Sequence, residues 1–332
     1  MRFLFINFAC YMLLSCSNSG SKLIKVEGSA QGTTYHISYI AEDNENYKSA
    51  FDSLLRKIDT SFSTYLPVSI ISRINKNDST AVADKYFTDV FNKAMEVSQQ
   101  TGGLFDVTVA PLVNAWGFGF TKKATIDSAM IDSLRRLTGY KMVKLESGKI
   151  VKAIPGLMLD FNAIGQGYSV DVLAAFLENK GTHNYLVELG GELIAKGKKY
   201  KEEWTVGIDQ PNDSVIEERT LQAIIKLNNR ALSTSGNYRQ FYVENGQKFA
   251  HTIDPRTGYP AKQNILSATV LANDCTTADA YATAFMVMGL DKAKQFLTEH
   301  KALNLEVYFI YDENGKWKTF ASESLKGLIQ EL

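Results

Sequence analysis

Ala250-His251-Thr252-Ile253-Asp254-Pro255-Arg256-Thr257-Gly258-Tyr259-Pro260 places a histidine, a carboxylate, a guanidinium and two prolines in one short stretch of the chain. The Val- and Phe-containing residues before it predict a strand, and the prolines end that strand because each lacks an N–H and fixes its own φ. A simple turn would account for Asp254 bonding its own backbone and for a positive φ at Gly258. A simple turn does not require His251 and Arg256 beside the carboxylate of Asp254, so the stretch favours a functional loop.

Composition and charge around this stretch are those of an ordinary globular protein. The chain has 332 residues, of which 45% are hydrophobic, enough for one large domain or two closely packed ones. Lys plus Arg and Asp plus Glu both number 36, so the net charge is zero. No overall positive field attracts nucleic acid, and we expect no nucleic-acid partner.

The N-terminus predicts export and a lipid anchor. Arg2 precedes a mostly apolar run over residues 3–14, which is shorter than the roughly 20 residues of a membrane-spanning helix. Leu13-Leu14-Ser15-Cys16 resembles a bacterial lipobox, so residues 1–15 are interpreted as a signal peptide and 16–23 as a lipidated Cys16 with its tether. A plain cleaved signal or an incidental apolar N-terminus are the alternatives. The expected location is the bacterial cell envelope, lipid-anchored to a membrane with the domain on the exported, periplasmic side.

The cysteines and histidines give no sign of a disulfide or a zinc site. Of three cysteines, Cys10 lies in the signal and Cys16 at the lipidation site, which leaves Cys275 alone in the folded domain. With no adjacent histidine, Cys275 is better interpreted as a small buried residue than as a nucleophile. Four histidines and this one cysteine form no clear zinc-binding pattern.

Hydrophobic periodicity predicts an α+β fold with largely antiparallel sheets flanked by helices, because many strands are joined by tight turns while helices come in blocks. Four segments carry specific expectations: a single strand over 24–40 bent near Gly32, an exposed turn over 69–75, a buried strand over 157–161, and a hydroxyl-rich bend over 231–236. Helices are expected over 47–62, 84–100, 127–138, 168–179, 278–288 and 292–300. Trp116-Gly117-Phe118-Gly119-Phe120 fits either a hydrophobic plug or an aromatic wall beside a planar ligand.

Two patterns suggest phosphate and metal chemistry. The segment 162–167, Asn-Ala-Ile-Gly-Gln-Gly, opens a predicted helix, whose unpaired N–H groups can hold a phosphate. It lacks the third glycine of a dinucleotide fingerprint, so a Rossmann domain is not expected. Asp279 and Thr283 lie four apart on one helix face and offer hard oxygen donors suited to Mg²⁺. Taken alone, the pair is better explained by an Asp279 that favours the helix N-terminus and a Thr283 that packs.

Seven motifs in this order resemble the FAD:protein FMN transferases of the ApbE family, from Gln31 onward along nearly all of the mature chain. The motifs are Ser63-Thr64-Tyr65, Gly102-Gly103-Leu104-Phe105-Asp106-Val107-Thr108, Asp160-Phe161-Asn162-Ala163-Ile164-Gly165-Gln166-Gly167-Tyr168, Leu189-Gly190-Gly191-Glu192, Ser233-Thr234-Ser235-Gly236, His251-Thr252-Ile253-Asp254-Pro255-Arg256-Thr257-Gly258 and Asp279-Ala280-Tyr281-Ala282-Thr283.

The resemblance implies an ApbE-like fold, similar to the T-fold, with residues 24–332 as one flavin transferase domain. It also implies roles for named residues. The positions implied to bind FAD are Gln31, Tyr65, Leu104, Phe105, Asp106, Asp160, Gln166 and Ile253. The carbonyl of Ala163 with Asp279 and Thr283 is implied to hold Mg²⁺, and His251 to act in transfer. Gln31 stands where members often have Met, and Gln166 where many have Lys, so a cation near the pyrophosphate would be missing.

The implied reaction is Mg²⁺-dependent transfer of FMN from FAD to a threonine hydroxyl through a phosphoester bond, with release of AMP. FAD is then a substrate, and the other partner is an exported or membrane acceptor protein, a subunit of a membrane redox complex. Asp254, close in sequence, is expected to orient His251. The alternatives are an FAD pyrophosphatase that yields FMN and AMP, and a flavin-binding lipoprotein without catalysis.

Overall fold

The computed structural model describes residues 21–41, 44–119, 126–211, 220–237, 241–244 and 247–332. The predicted signal peptide and Cys16 lie outside these ranges. Over the ranges that are described, no helix combines the length and the apolar character needed to cross a membrane.

The described residues form strands and helices that are numbered here in chain order. The strands are β1 Lys22–Ala30, β2 Thr33–Ala41, β3 Val143–Glu146, β4 Lys149–Lys152, β5 Tyr185–Leu189, β6 Glu192–Lys196, β7 Trp204–Asp209, β8 Leu221–Leu227, β9 Arg230–Gly236, β10 Phe241–Glu244, β11 Gln247–Ala250, β12 Ile265–Ala272, β13 Glu306–Glu313, β14 Lys316–Ala321 and β15 Ile329–Glu331. The helices are α1 Lys48–Phe62, α2 Ile70–Asn75, α3 Lys85–Gln100, α4 Ala110–Ala115, α5 Ser128–Arg135, α6 Gly165–Asn179, α7 Cys275–Met288 and α8 Leu290–Glu299.

One large sheet organises the fold. Within the described ranges it has eight strands in the order β1-β2-β5-β6-β9-β12-β13-β14, and every neighbouring pair is antiparallel. Helices cover one face of this sheet. The predicted α+β fold with antiparallel sheets flanked by helices is therefore confirmed.

Helix α7 is the centre of the helical layer. It is buried on almost every side and packs against β9, β12 and α6, as expected for a helix that is apolar all round. Its N-terminus is held by two carboxylates. Asp274 accepts from the N–H of Thr277 at 2.7 Å, and Asp171 of α6 accepts from the N–H groups of Cys275 and Thr276, both at 2.8 Å. These bonds satisfy orphan donors of the first turn and lock α6 to α7.

The opposite face of the large sheet carries a second, three-stranded sheet in the order β15-β8-β7. Side chains such as Leu193, Leu232 and Tyr308 of the large sheet pack with Trp204 and Ile225 of the small one in a separate apolar cluster. Residues that alternate along β9 therefore divide between two cores. Leu232 faces the small sheet, whereas Ser233 and Ser235 face α7.

Two strand predictions were wrong because the pairing of strands is decided across the chain. The expected single strand over 24–40 is a hairpin of β1 and β2, with Gln31 at φ 52° and Gly32 at φ 75° in the turn. Two successive positive φ values produce a tight reversal and not a bend. The expected bend over 231–236 is strand β9, which lies between β6 and β12 inside the large sheet.

Two other segments also differ from expectation. Residues 69–75 form helix α2 behind a Ser69 cap and not an exposed turn, because Ile71 and Ile74 are buried in the core. Residues 157–161 are buried apart from a partly buried Met158, but they make only one isolated bridge, between Met158 and Val109, and so form no strand. Their side chains fill the core below α6 while the backbone leads directly into the start of that helix.

Candidate active site

The buried carboxylate of Asp279 lies against the N-terminal turn of α6. Its Oδ2 accepts from the backbone N–H of Gly167 at 3.0 Å. This approach requires glycine, since a Cβ on residue 167 would lie 2.4 Å from the carbonyl oxygen of Cys275 and 2.7 Å from the Cβ of Asp279. The local sequence thus brings the second turn of α7 into contact with the positive end of α6.

Hydroxyl groups of β9 lie beside Asp279 and Thr283 of α7. The Oγ of Ser233 lies 3.3 Å from Glu192 Oε1 and 3.5 Å from Asp279 Oδ1, and the Oγ of Ser235 lies 3.2 Å from Thr283 Oγ1. Burial raises the pKa of Asp279 to about 7, against the opposing hydrogen bonds from Gly167 and Ser233. A bound cation would favour the ionised carboxylate.

The donors in this region fit Mg²⁺ better than a softer metal. Asp279 and Thr283 face β9 from one side of α7, and Ala163 lies four residues before Gly167, where the chain enters α6. The described residues contain no group of three His, Cys, Asp or Glu side chains that could hold a metal. A metal here would depend on one carboxylate with hydroxyl and carbonyl oxygens, which is a hard donor set that leaves positions for water or phosphate.

Two glutamines lie beside the start of α6. Gln31, in the hairpin turn, donates from Nε2 to the Oγ of Ser169 at 2.8 Å, and Ser169 in turn donates to the carbonyl of Gly165 at 2.8 Å. The side-chain amide of Gln166 lies about 3 Å from where a Cβ on Gly190 would stand. The structure therefore brings both predicted FAD-binding glutamines to the end of the helix that is expected to hold phosphate.

Asp160 lies immediately before the entry into α6. Its carboxylate accepts from the backbone N–H and the side-chain amide of Asn162, at 2.7 and 3.3 Å, and burial raises its pKa. Tyr65 is 64% exposed, and burial followed by the charge of Asp160 raises the pKa of its hydroxyl. A buried carboxylate close enough to influence the charge of an exposed tyrosine is suited to hold a planar, hydrogen-bonding ligand together with that ring.

The segment 104–106 is held close to Asp160 by the next residue, Val107, whose carbonyl accepts from the N–H of Asp160 at 2.8 Å. Asp106 Oδ1 accepts from the N–H and the hydroxyl of Thr108 at 2.8 and 2.6 Å, and Oδ2 from the N–H of Tyr140 at 2.8 Å. Phe105 is buried in the main core. Phe105 and Asp106 thus shape the segment, and Leu104 is the partly buried member of the three.

Residues 250–260, called the histidine loop below, form a turn that packs against the end of α4. Its ends are joined by bonds from Asp254 N–H to the Tyr259 carbonyl at 2.9 Å and from Gly258 N–H to the Asp254 carbonyl at 2.8 Å. The indole N–H of Trp116 donates to the carbonyl of Gly258 at 2.8 Å. Trp116 and Ile253 are buried in one small apolar cluster, so Trp116 is a plug beneath the loop and not part of an aromatic wall.

Ile253 pairs with Pro260 in an isolated antiparallel bridge. The flanking bonds, Asp254 N–H to Tyr259 and Ala261 N–H to Thr252, make this a pair without hydrogen bonds of its own. The N–H and C=O of Ile253 therefore point away from Pro260. Because its side chain is buried, Ile253 can meet a ligand only through this backbone.

The arrangement combines a helix N-terminus, a buried carboxylate, exposed aromatic surface and a histidine loop. The ApbE family model matches residues 31–309. The chain belongs to the ApbE family. The FAD:protein FMN transferase of Vibrio cholerae is 33% identical over 341 residues, with all of both chains covered. That of Haemophilus influenzae is 34% identical over 340 residues and covers 98% of this chain and 97% of the relative.

A solved structure agrees with the sequence relatives. The flavin transferase ApbE from Vibrio cholerae is similar to this ApbE-family chain with a TM-score of 0.82 and 33% identity, and the match covers 93% of this chain and 100% of that one. The similarity thus extends over the whole fold that positions the site.

One expectation about the ApbE histidine loop was wrong. Asp254 was expected to orient His251, but both of its oxygens accept from Arg256: Oδ1 from the backbone N–H and Nε at 2.9 and 3.1 Å, and Oδ2 from a terminal nitrogen at 2.9 Å. Burial opposes ionisation, yet these bonds and the Arg256 charge lower the pKa of Asp254. His251 is partly buried, and its ring lies edge-on to Phe118 at a centroid distance of 6.4 Å.

Sequence reasoning missed three groups in this ApbE site. Ser233, Ser235 and Glu192 lie around Asp279 and Thr283, but the sequence motifs that contain them assign them no role in the site. Alternation along 231–236 was the available signal, because a strand there would have directed Ser233 and Ser235 to the same face.

Proposed function

We propose that this protein transfers FMN from FAD to a hydroxyl group of an acceptor protein and releases AMP. The curated relatives are named for this reaction. The observation that carries the proposal is the Asp279 carboxylate fixed against the N–H of Gly167 at the start of α6, with the hydroxyl of Thr283 one turn along α7. This is a place where a cation and a pyrophosphate can be held together.

In this proposal Asp279, Thr283 and the carbonyl of Ala163 hold Mg²⁺. When bound, the metal neutralises negative charge on the pyrophosphate, which is the main requirement of phosphoryl-type transfer. The N–H groups of Gly165 and Gly167 already donate to the Phe161 carbonyl and to Asp279, so the positive end of the α6 dipole serves the same purpose from the protein side. Gln31 and Gln166 border this turn and would contribute neutral hydrogen bonds where a charged side chain is absent.

FAD itself would be placed by the groups that lead into α6. Asp160 is buried beside the exposed ring of Tyr65, and Leu104 belongs to the segment bonded to Asp160 through Val107. Asp106 and Phe105 keep that segment in position. The backbone of Ile253 approaches from the loop, so FAD would lie between the start of α6 and the loop.

His251 would take the proton in the transfer step. The threonine oxygen of the acceptor attacks the phosphorus of the FMN half and forms the new phosphoester bond. The bond from this phosphorus to the bridging oxygen breaks, and AMP leaves with that oxygen and the bonding electrons. The threonine proton passes to the imidazole of His251, a role that typically contributes about 10²–10⁴-fold.

We also propose that the acceptor is an exported or membrane redox protein, reached by a transferase that is anchored through Cys16. The motive is the signal-like run that ends in Leu13-Leu14-Ser15-Cys16. Replacing Cys16 with Ser should abolish incorporation of labelled fatty acid and leave the chain unprocessed or soluble. Equal labelling of the variant would reject the anchor.

Mass spectrometry of the complete reaction tests the proposed activity. The purified domain is mixed with FAD, Mg²⁺ and candidate exported redox subunits, and the acceptor is digested to locate the adduct. FMN on a threonine with stoichiometric AMP is the expected result. FMN and AMP without an adduct would instead identify a pyrophosphatase, and FAD that stays bound and intact would identify a flavin-holding protein.

A further inference from the structure

A cation-lined groove opens between α5 and the histidine loop. Its volume is about 890 Å³, and it is bordered by Gly103 and Asp106 on one side, by α5 on another, and by Pro255 and Arg256 of the loop. It therefore adjoins both the segment expected to contact FAD and the loop that carries His251. The bond-making and bond-breaking steps of the proposed transfer reaction do not involve this groove.

The groove has a local excess of positive charge in a chain whose net charge is zero. Four cationic side chains, Arg135, Arg136, Lys141 and Arg256, face two carboxylates, those of Asp106 and Asp132. The carboxylate of Asp106 is directed at the backbone and hydroxyl donors of its own loop. Fields of this kind attract oppositely charged partners and orient them.

Two of the four cations already have carboxylate partners. Arg256 pairs with Asp254 at 2.9 Å, and Arg135 with Asp132 at 3.2 Å. The other two are exposed: among the residues that the structure describes, Arg136 bonds the hydroxyl of Ser133 at 3.5 Å, and the Nζ of Lys141 lies 5.8 Å from the centre of the Tyr140 ring. Within the described part of the chain, neither Arg136 nor Lys141 pairs with a carboxylate.

We infer that this groove docks an acidic segment of the acceptor polypeptide, next to the hydroxyl that receives FMN. The inference rests on the proposed function. The cations come from three separate parts of the chain, the end of α5, the turn at Lys141 and the loop at Arg256, and all of them line this groove. An elongated acidic chain can therefore contact several of them at once. A small anion is usually held by donors that converge on one point. The loop that contributes Pro255 and Arg256 to the groove also carries His251 five residues earlier in the chain.

Binding of a matched pair of peptides tests the inference without requiring catalysis. The probes are fluorescein-labelled peptides with a central threonine flanked by aspartates, or by asparagines in the control peptide. Fluorescence anisotropy is recorded with the exported domain at low and high salt. The aspartate peptide should bind more tightly, and high salt should weaken it, because exposed charges are screened beyond roughly 8–10 Å at moderate ionic strength.

Charge reversal assigns the binding to the groove. Arg136→Glu combined with Lys141→Glu should weaken the aspartate peptide by about tenfold at low salt, since exposed charges contribute modestly one by one. The control combines Lys292→Glu on α8 with Lys316→Glu on β14, two elements that do not line the groove, and it should leave binding unchanged. Arg136→Gln with Lys141→Gln should fall between wild type and reversal, and equal melting temperatures establish that all variants are folded.

Three results would overturn the inference. Equal binding of the two peptides would show no preference for acidic chains, and unchanged binding by the Arg136 and Lys141 reversal would place the peptide elsewhere. A parallel loss of FAD affinity, titrated separately for each variant, would assign the groove to the phosphates of FAD. Failure of FMN transfer by the wild-type protein would contradict only the proposed function, because the anisotropy measurement does not depend on transfer.

Discussion

Substituting Gly167 with Ala tests whether the close contact of α6 with α7 builds the site. The added Cβ would lie 2.4 Å from the carbonyl oxygen of Cys275, 2.8 Å from its carbonyl carbon and 2.7 Å from the Cβ of Asp279. The atoms of Cys275 belong to the backbone of a helix whose N-terminus is fixed by Asp171 and Asp274. They cannot move aside by rotation, so the two helices must separate.

The expected effect follows from two opposing terms. Overpacking a close contact typically costs about 1–3 kcal/mol, and a clash with backbone belongs at the upper end of that range. Alanine is favoured over glycine inside a helix by about 1 kcal/mol. The net loss is then about 2 kcal/mol, which lowers the melting temperature of a domain of about 300 residues by roughly 3 °C, because the entropy of unfolding grows with chain length.

Separation of the helices should also disturb the site. The bond from Gly167 N–H to Asp279 is 3.0 Å long, and lengthening it removes a donor from a buried carboxylate. Calorimetry gives the melting temperature, and FMN transfer under saturating FAD gives the rate, which should fall more than the melting temperature alone explains. Gly327→Ala is the matched control, because a Cβ there meets no atom within 4 Å and the backbone is not in the left-handed region. A melting temperature and rate equal to those of the control would refute the account of this contact.

Four further substitutions test the site. His251→Ala should reduce transfer at saturating FAD by about 10²–10⁴-fold with little change in melting temperature, and a near-normal rate would give its role to another group. In a titration with Mg²⁺, the transfer rate of Asp279→Asn should no longer rise with the metal concentration. A rate equal to that of the wild type at the same Mg²⁺ concentration would show that Asp279 does not bind the metal. Trp116→Phe leaves the carbonyl of Gly258 without its indole donor, so the free energy of unfolding should fall by about 1–3 kcal/mol. An unchanged denaturation midpoint would contradict this. The pKa of Asp254 lies below its usual 3.8, so its bonds with Arg256 stabilise the fold above about pH 4 and lose that effect as the pH falls. The melting temperature of Asp254→Asn, measured as a function of pH, should therefore lack this fall at acid pH.

The sequence by itself determined the features that depend on local periodicity and local backbone chemistry. The helical spacing of the apolar residues predicts α1, and the structure confirms that helix; these residues are Phe51, Leu54, Leu55, Ile58 and Phe62. The prolines and Gly258 likewise predict the polar turn after β11, where Gly258 adopts φ 78°. The ordered motifs led to the family, because the identity and order of motif residues can be read from the sequence alone.

Only the tertiary structure decided which of these local pieces meet. Gly167 and Asp279 are 112 residues apart and Trp116 and Gly258 are 142 apart, so no local pattern indicates either contact. The same reason explains β9, whose hydroxyl-rich residues prefer turns but are held in a strand by β6 and β12. Asp254 also took Arg256 and not His251 as its partner, because the fold of the turn sets the direction of the carboxylate. Sequence spacing shows which residues are neighbours along the chain, whereas the direction of a side chain depends on how distant parts of the chain pack together.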